Sequence, residues 1–337
     1  MVGRSRKSET ARGRRGRVRG VKVVCGYDPG ELGEKLFAGW ANESTRVVVS
    51  PEEEEARFVE DLRDAEVLLH ILRPVTGELL SGAPRLRLVQ KIGVGVNTID
   101  LEAARARGVA VANMPGTNTQ AVAEAALMLM LAALRNLPGF DRACRIGNGW
   151  APEGVPRERR NASGELRGRT VGLVGGGAVA SRLVGPLRAL GARVIYTDRR
   201  ERPDLEIERR GLDELLQESD VVSLHVPLTP ETENLIDRAR LERTKPGAVL
   251  INTARGGLVE EAALVEALTS GRLRAAGLDV LTEEPPPPDH PLLALDNVVL
   301  TPHVAWLTQE TLVRSFDVAL ENVRRLRDGR DLLFRVR

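Results

Sequence analysis

Four histidines, His70, His225, His290 and His303, are the residues best suited to moving protons near neutral pH. His303 stands out among them. It follows a β-branched run in the segment TPHVAW, and open α/β sheets present ligands at the C-terminal ends of their strands. His225 closes a similar run in LHVPLTP but reads as structural. His70 lies within an apolar run and His290 in a proline-rich loop, so neither is assigned chemistry.

A second pattern concerns phosphate. VGLVGGGAVA contains Gly175-x-Gly177-x-x-Ala180 where a strand gives way to a helix. Gly175 permits a tight turn, and Gly177 lets the backbone approach a pyrophosphate at a helix N-terminus. Ala180 replaces a third glycine and still allows close helix–strand packing. Asp198 ends the next strand, 23 positions after Gly175. A carboxylate there suits adenosine ribose hydroxyls and repels a 2′-phosphate, which favours NAD. Arg199 and Arg200 follow directly, so NADP tolerance stays open.

The elements that must hold these residues follow an alternating order. VKVVCGYD, AEVLLHIL (65–72), LRLVQKIG (86–93) and GVAVAN (108–113) read as short strands with helical stretches between them. A second series starts at Thr170 with TVGLVGG and the helix AVASRLVGPLRALG. It continues with ARVIYTD (192–198), DVVSLHVP (220–227), AVLINTA (248–254), AAGLDV (275–280) and NVVLTP (297–302). Alternation of this kind implies parallel sheets. The expected fold is α/β with parallel sheets. The stretch 118–137 is Ala/Leu/Met-rich, apolar on most sides and expected to be a buried helix, with Met128 and Met130 as packing residues. Residues 147–168 read as a polar surface connection, and 308–329 as a closing helix with a glycine stop.

Composition excludes several classes. The chain has 337 residues, 42% hydrophobic and 28% charged, as globular chains of two domains do. Aromatics are 3%, so Ala, Val and Leu must build the core. No uncharged apolar run reaches about 18 residues, so no membrane span is expected. The N-terminus lacks the apolar stretch of a secretory signal. Cys25 and Cys144 make no disulfide framework and suit a reducing cytoplasm. Residues 1–20 hold eight basic residues and one acid, a charge of +7. With +2 overall, the rest carries −5. That segment reads as a disordered basic tail, and the acidic remainder makes nucleic acid an unlikely partner. No metal site is expected.

Longer motifs carry a resemblance. KPGAVLINTARGGLVEEAALVEAL, AAGLDVLTEEP and NVVLTPH together resemble the signature of the D-isomer-specific 2-hydroxyacid dehydrogenases. GVGVNTIDLEAARARGVAVANMPGTNTQAVAE resembles the same family's substrate-domain segment. The resemblance spans roughly 21–330. It implies hydride transfer between NAD(H) and C2 of a small D-2-hydroxy or 2-oxo acid, with Arg255, Glu284 and His303 as the catalytic set. The Arg255 fork would hold the substrate carboxylate and polarise the C2 carbonyl. His303 would exchange a proton with that oxygen, and Glu284, rather than its neighbour Glu283, would orient the imidazole and favour its charged form.

The resemblance further implies cofactor contacts at Gly175, Gly177, Ala178, Val179, Asp198, Val226, Pro227, Thr232, Thr253, Ala254, Arg255, Asp279 and His303. Substrate contacts would come from Arg73, the backbone at Val94 and Gly95, Arg255, His303 and Trp306. It implies two Rossmann-like, doubly wound parallel-sheet domains with a cleft between them, and places an NAD-binding Rossmann domain at 115–302. A flavodoxin-like substrate domain takes 21–114 plus 303–337, and the helix at 118–137 serves a homodimer interface. The substrate is expected to be glyoxylate- or hydroxypyruvate-like, or phosphoglycerate-like, with Arg73 reaching a second polar group. Glu284 argues against the formate dehydrogenases, which resemble this chain but carry glutamine there. The alternatives are an NAD-sensing corepressor-like interaction protein on the same scaffold, an enzyme for an unusual donor such as phosphite, and a nucleic-acid binder using the basic arm.

Overall fold

The structure is a computed structural model. It describes residues 20–41, 45–71, 73–150 and 163–336. The basic stretch before Gly20 and most of the expected polar connection lie outside the described residues. The chain divides into two compact units. The smaller runs to Gln90 and takes in Asp100–Ala112 and the chain from Ala319 onward. The larger comprises Lys91–Ile99 and Asn113–Val318. Residues 91–99, 113–114 and 303–318 therefore group with the larger unit, not with the rest of 21–114 and 303–337.

The smaller unit holds a five-stranded sheet of β1 (Val21–Cys25), β2 (Thr45–Val49), β3 (Val67–His70), β4 (Leu88–Lys91) and β5 (Ala110–Ala112), in the order β2-β1-β3-β4-β5. β1 runs parallel to β2 and β3, and β4 to β5. This order is that of flavodoxin-like sheets. β2 was not among the expected strands. Every residue of β3 and β4 is buried, as strands covered on both faces should be. The chain's end adds a short antiparallel bridge, Arg335 to Ala112, beside β5.

The larger unit holds seven parallel strands: β6 (Thr170–Val174), β7 (Arg193–Thr197), β8 (Glu208–Arg209), β9 (Val221–Leu224), β10 (Ala248–Asn252), β11 (Leu273–Leu278) and β12 (Val298–Leu300). Their order is β12-β11-β10-β9-β6-β7-β8. Successive strands leave β6 in opposite directions, so the order reverses between β6 and β9. Such reversal points are where doubly wound sheets open a crevice for ligands. Side chains alternate between two cores. Val171, Leu173, Val249 and Ile251 join one with the helices Thr119–Leu134 and Ala178–Ala189. Val174, Val222 and Leu250 join the other with the helices Leu212–Glu218 and Glu261–Thr269.

The helix expected over 118–137 stops at Leu134. Asn136 adopts a left-handed backbone, φ +51°, and a second helix, Leu137–Arg145, departs at 66°. One face of the first helix packs on the sheet, with Met130 fully buried. Met128, by contrast, is 51% exposed, so the expectation that both methionines pack inside holds only for Met130. No single helix among the described residues is long and apolar enough to cross a membrane.

Candidate active site

The reactive groups come from loops following three neighbouring strands, β10, β11 and β12. After β10 the buried Asn252 folds the chain into a tight turn. Its amide donates to the Arg255 carbonyl (2.8 Å), and its side-chain oxygen accepts from the Ala254 N–H (3.0 Å). That turn projects Arg255. The guanidinium donates to the Ala254 carbonyl (2.6 Å) and, through Nε, to the Asn97 side chain (3.4 Å). A Cβ on Gly95 would lie 2.0 Å from Arg255 Nη2, so only glycine leaves the fork its place. Burial pulls the Arg255 guanidinium below its ordinary value and the Glu284 carboxylate opposes this; the group stays cationic.

Glu284 sits in the loop after β11. One carboxylate oxygen accepts from the Leu281 N–H (2.9 Å) and the other meets His303 Nδ1 at 2.6 Å. Burial raises the Glu284 carboxyl. The His303 hydrogen bond and charge, the Leu281 N–H and Arg255 outweigh it, so the group titrates below the usual carboxylate range. Glu284, not Glu283, meets the imidazole. Because Nδ1 faces Glu284, Nε2 is the nitrogen left to exchange a proton. The loops carrying Arg255 and Glu284 are pressed together: a Cβ on Gly256 would lie 2.0 Å from the Leu281 carbonyl carbon.

His303 itself has a left-handed backbone, φ +56°, which costs a non-glycine residue on the order of 1 kcal/mol. The surroundings enforce it. The His303 N–H donates to the Asp279 carbonyl (2.8 Å), and the Trp306 indole N–H donates to the His303 carbonyl (3.0 Å). Asp279 staples the loop beyond it. One oxygen accepts from the Thr301 hydroxyl (2.6 Å) and the Val304 N–H (2.9 Å), the other from the Ala305 N–H (2.9 Å). Burial pushes the Asp279 carboxyl up, against these hydrogen bonds and the nearby His303.

At the reversal of strand order, Gly175 adopts φ +102°, and a Cβ there would meet the His225 carbonyl oxygen at 2.6 Å. Gly177 precedes the helix Ala178–Ala189, and a Cβ there would meet only open space. The helix start at Ala178 and Val179 is therefore open to an anion. Asp198 accepts from the Gly176 N–H (2.8 Å) and the Arg200 N–H (3.0 Å). Burial raises its carboxyl, but these bonds and the charges of Arg202 and Arg199 leave it lowered. Thr253, two residues before Arg255, carries a buried hydroxyl oxygen with no hydrogen-bond partner among the described residues. A buried orphan of this kind fits a ligand's polar group. Thr232 instead ties its own loop, donating to the Pro227 carbonyl (2.6 Å). Val226 packs partly buried on the adjoining core. These residues fit a dinucleotide.

Val94 is 45% exposed. The N–H groups of Val94 and Gly95 make no hydrogen bond among the described residues, which leaves them free for an anion. In the smaller unit, Arg73 is already engaged. It donates to Glu55 (2.5 Å) and the Glu52 carbonyl (3.0 Å), and its guanidinium lies 5.4 Å from the Phe58 ring centre. The remaining histidines are satisfied: His70 meets Glu52 (3.3 Å), His225 meets Ser223 (2.9 Å) and His290 meets Glu261 (2.9 Å). Burial pushes the His225 imidazole down to about 4. Asn97, Asn252, Gly256 and Thr301 were missed by sequence reasoning. All four lie inside the quoted family motifs, which were the signal that could have found them.

A profile of the D-isomer specific 2-hydroxyacid dehydrogenase NAD-binding domain matches residues 127–305. The chain belongs to the D-isomer specific 2-hydroxyacid dehydrogenase family. As a member it is an oxidoreductase that moves a hydride between NAD(H) and C2 of a small 2-hydroxy or 2-oxo acid. It is 42% identical over 266 residues to a glyoxylate reductase of Aeropyrum pernix, covering 77% of this chain and 79% of that one. It is also 42% identical over 260 residues to a D-3-phosphoglycerate dehydrogenase of Archaeoglobus fulgidus, of whose length it spans about half, 48%, with 76% of this chain covered. A solved structure from Thermus thermophilus superposes with a TM-score of 0.83 at 38% identity, covering 94% of this dehydrogenase and all of that chain. The corepressor-like alternative finds no support among these relatives.

Proposed function

We propose that this dehydrogenase reduces a small 2-oxo acid of the glyoxylate or hydroxypyruvate type, with Arg255, Glu284 and His303 as its catalytic residues. The observation that carries the reading is the 2.6 Å contact between His303 Nδ1 and Glu284 beside the half-buried Arg255 fork. A nicotinamide held there would supply the hydride that C2 receives in reduction. His303 Nε2 gives its proton to the C2 oxygen, and Glu284 balances the charge on the imidazole. Arg255 holds the carboxylate and stabilises charge growing on that oxygen. The free N–H groups of Val94 and Gly95 bind the carboxylate, and Trp306 supports His303 while facing substrate. Oxidation runs the same steps backward.

Gly175, Gly177, Ala178 and Val179 would hold the pyrophosphate, and Asp198 the ribose hydroxyls. Val226, Pro227 and Thr232 would line the cofactor. Thr253, Ala254 and Asp279 would meet the carboxamide. Asp198 favours NAD, and the flanking Arg199 and Arg200 extend tolerance to NADP. Residues 115–302 would make up the cofactor domain and 21–114 with 303–337 the substrate domain, apart from the segments 91–99, 113–114 and 303–318, which group with the larger unit.

A phosphoglycerate-like substrate is the second reading. Two facts favour the smaller acid. Arg73 spends its donors on Glu52 and Glu55, and the chain covers far more of the glyoxylate reductase than of the phosphoglycerate enzyme. Met128, Leu131, Leu137 and Ile146 are exposed near the two bent helices, which supports a homodimer. Two free thiols support a cytoplasmic site. The test is NADH and NADPH consumption across glyoxylate, hydroxypyruvate, 3-phosphohydroxypyruvate and pyruvate. Preference for the phosphorylated acid would reverse the substrate order. Full activity in His303→Ala would remove the proton-transfer assignment.

A further inference from the structure

The loop that delivers Glu284 has an unusual problem of support. It runs from Leu281 to His290 and contains Pro285, Pro286, Pro287 and Pro288 in succession. Prolines have no N–H, so this run can donate nothing to hold itself against the body of the unit. It must be fixed at its ends.

One carboxylate does this from the side. Glu261 starts the helix Glu261–Thr269, which packs in the core behind the sheet. One of its oxygens accepts from the Thr282 N–H at 3.0 Å, before the proline run. The other meets His290 Nε2 at 2.9 Å, after it. His290 is 9% exposed, and its Nδ1 accepts from the Leu292 N–H at 3.3 Å. That pairing makes Nε2 the N–H donor to Glu261 and fixes one neutral tautomer. The His290 N–H returns to the Pro287 carbonyl at 3.0 Å and closes the far end. Burial raises the Glu261 carboxyl, but the Thr282 and His290 contacts outweigh it and leave the group below its ordinary value, so the carboxylate form persists.

We propose that Glu261 and His290 are positioning residues for the reaction, a clip that closes the loop Leu281–His290 and thereby presents Glu284 to His303. The inference rests on the roles given above to Glu284 and His303. Neither clip residue touches the reacting atoms. Their effect passes through the orientation of one carboxylate, which a displacement of about 1 Å is enough to spoil.

The experiment compares Glu261→Ala, His290→Ala and His290→Gln with Glu284→Gln, alone and combined with Glu261→Ala. The readouts are kcat on the best 2-oxo acid, its pH profile, NADH affinity by fluorescence, and Tm. Glu261→Ala and His290→Ala are expected to lose about ten-fold in kcat. They should keep NADH affinity within about two-fold and displace the pH profile in the direction set by Glu284→Gln. His290→Gln, which keeps a donor toward Glu261, should recover most of the loss. In the Glu284→Gln background, Glu261→Ala should add less than about two-fold, because residues acting through one another are not additive. If Glu261→Ala does not fold, Glu261→Gln keeps the shape, loses one acceptor and carries the same test. Full kcat in both clip variants while Glu284→Gln is impaired would overturn the clip alone. So would an undiminished further loss in the double variant. Full kcat in Glu284→Gln would overturn the clip and the catalytic assignment together.

Discussion

Gly95→Ala isolates the Arg255 fork from the rest of the site. The added Cβ would lie 2.0 Å from Arg255 Nη2, 3.0 Å from its Cζ and 3.1 Å from the Asn97 side-chain oxygen. Carbon and nitrogen do not rest closer than about 3.5 Å, so the guanidinium must retreat by roughly 1.5 Å. It is the far end of a flexible side chain, and retreat costs the fold little. Gly95 also needs no left-handed backbone. The substrate, however, meets a fork out of place. A displacement of about 1 Å in a positioning group costs up to about 100-fold, or roughly 3 kcal/mol of transition-state stabilisation. Steady-state kinetics on the preferred 2-oxo acid should therefore show kcat/KM down by that order. Tm should stay within about 2 °C, and NADH affinity should be unchanged. Wild-type kcat/KM in Gly95→Ala would refute the reasoning. So would a loss matched by a collapse in Tm, because the damage would then belong to the fold.

Gly256→Ala should behave differently. Its Cβ would strike backbone, 2.0 Å from the Leu281 carbonyl carbon, so Tm and activity should fall together in a thermal melt and a rate assay. Thr253→Val removes a buried hydroxyl that has no hydrogen-bond partner among the described residues. Tm without cofactor should hold or rise, while NADH binding by fluorescence titration weakens. His225 has a folded-state value of about 4 against an ordinary 6.5, so the unfolded chain binds the extra proton between those values. Stability is therefore full above about 6.5 and is lost as pH falls toward 4, by an amount on the order of 3 kcal/mol. Denaturant melts of the wild type and His225→Asn across that window should converge at the acid end; parallel curves would contradict it.

What could be read in advance follows a physical division. Strands β6, β7 and β9–β12 announced themselves because buried parallel strands are short, largely apolar runs, most of them rich in β-branched residues. Gly175 and Asp198 were legible because a tight turn and a strand-end acid are local demands. Glu284 and His303 could be paired only through motif resemblance, since they lie on different loops. β2, with the sequence TRVVV, carried a strand signal that was passed over; only Thr45 in it is buried. The helix ends at Leu134, short of the expected 137, because Asn136 takes a left-handed turn just ahead of Pro138 and Gly139, which mark the break in the sequence. The steric roles of Gly95 and Gly256 depend on Arg255 and Leu281 approaching them, which only the folded chain reveals; the motif resemblance marked Gly95 through its backbone, not through that contact. Asp279 carries a second role that its local sequence did not announce, both its oxygens tying the Thr301–Ala305 loop that holds His303.

The backbone at His303 sets selection for heat resistance against selection for turnover. A left-handed conformation is comfortable for glycine or asparagine and uncomfortable for an imidazole-bearing residue. A library of this chain sorted only for surviving high temperature would enrich those two replacements at position 303. The survivors would be sturdier proteins without their proton donor, so durability has to be sought elsewhere in the chain.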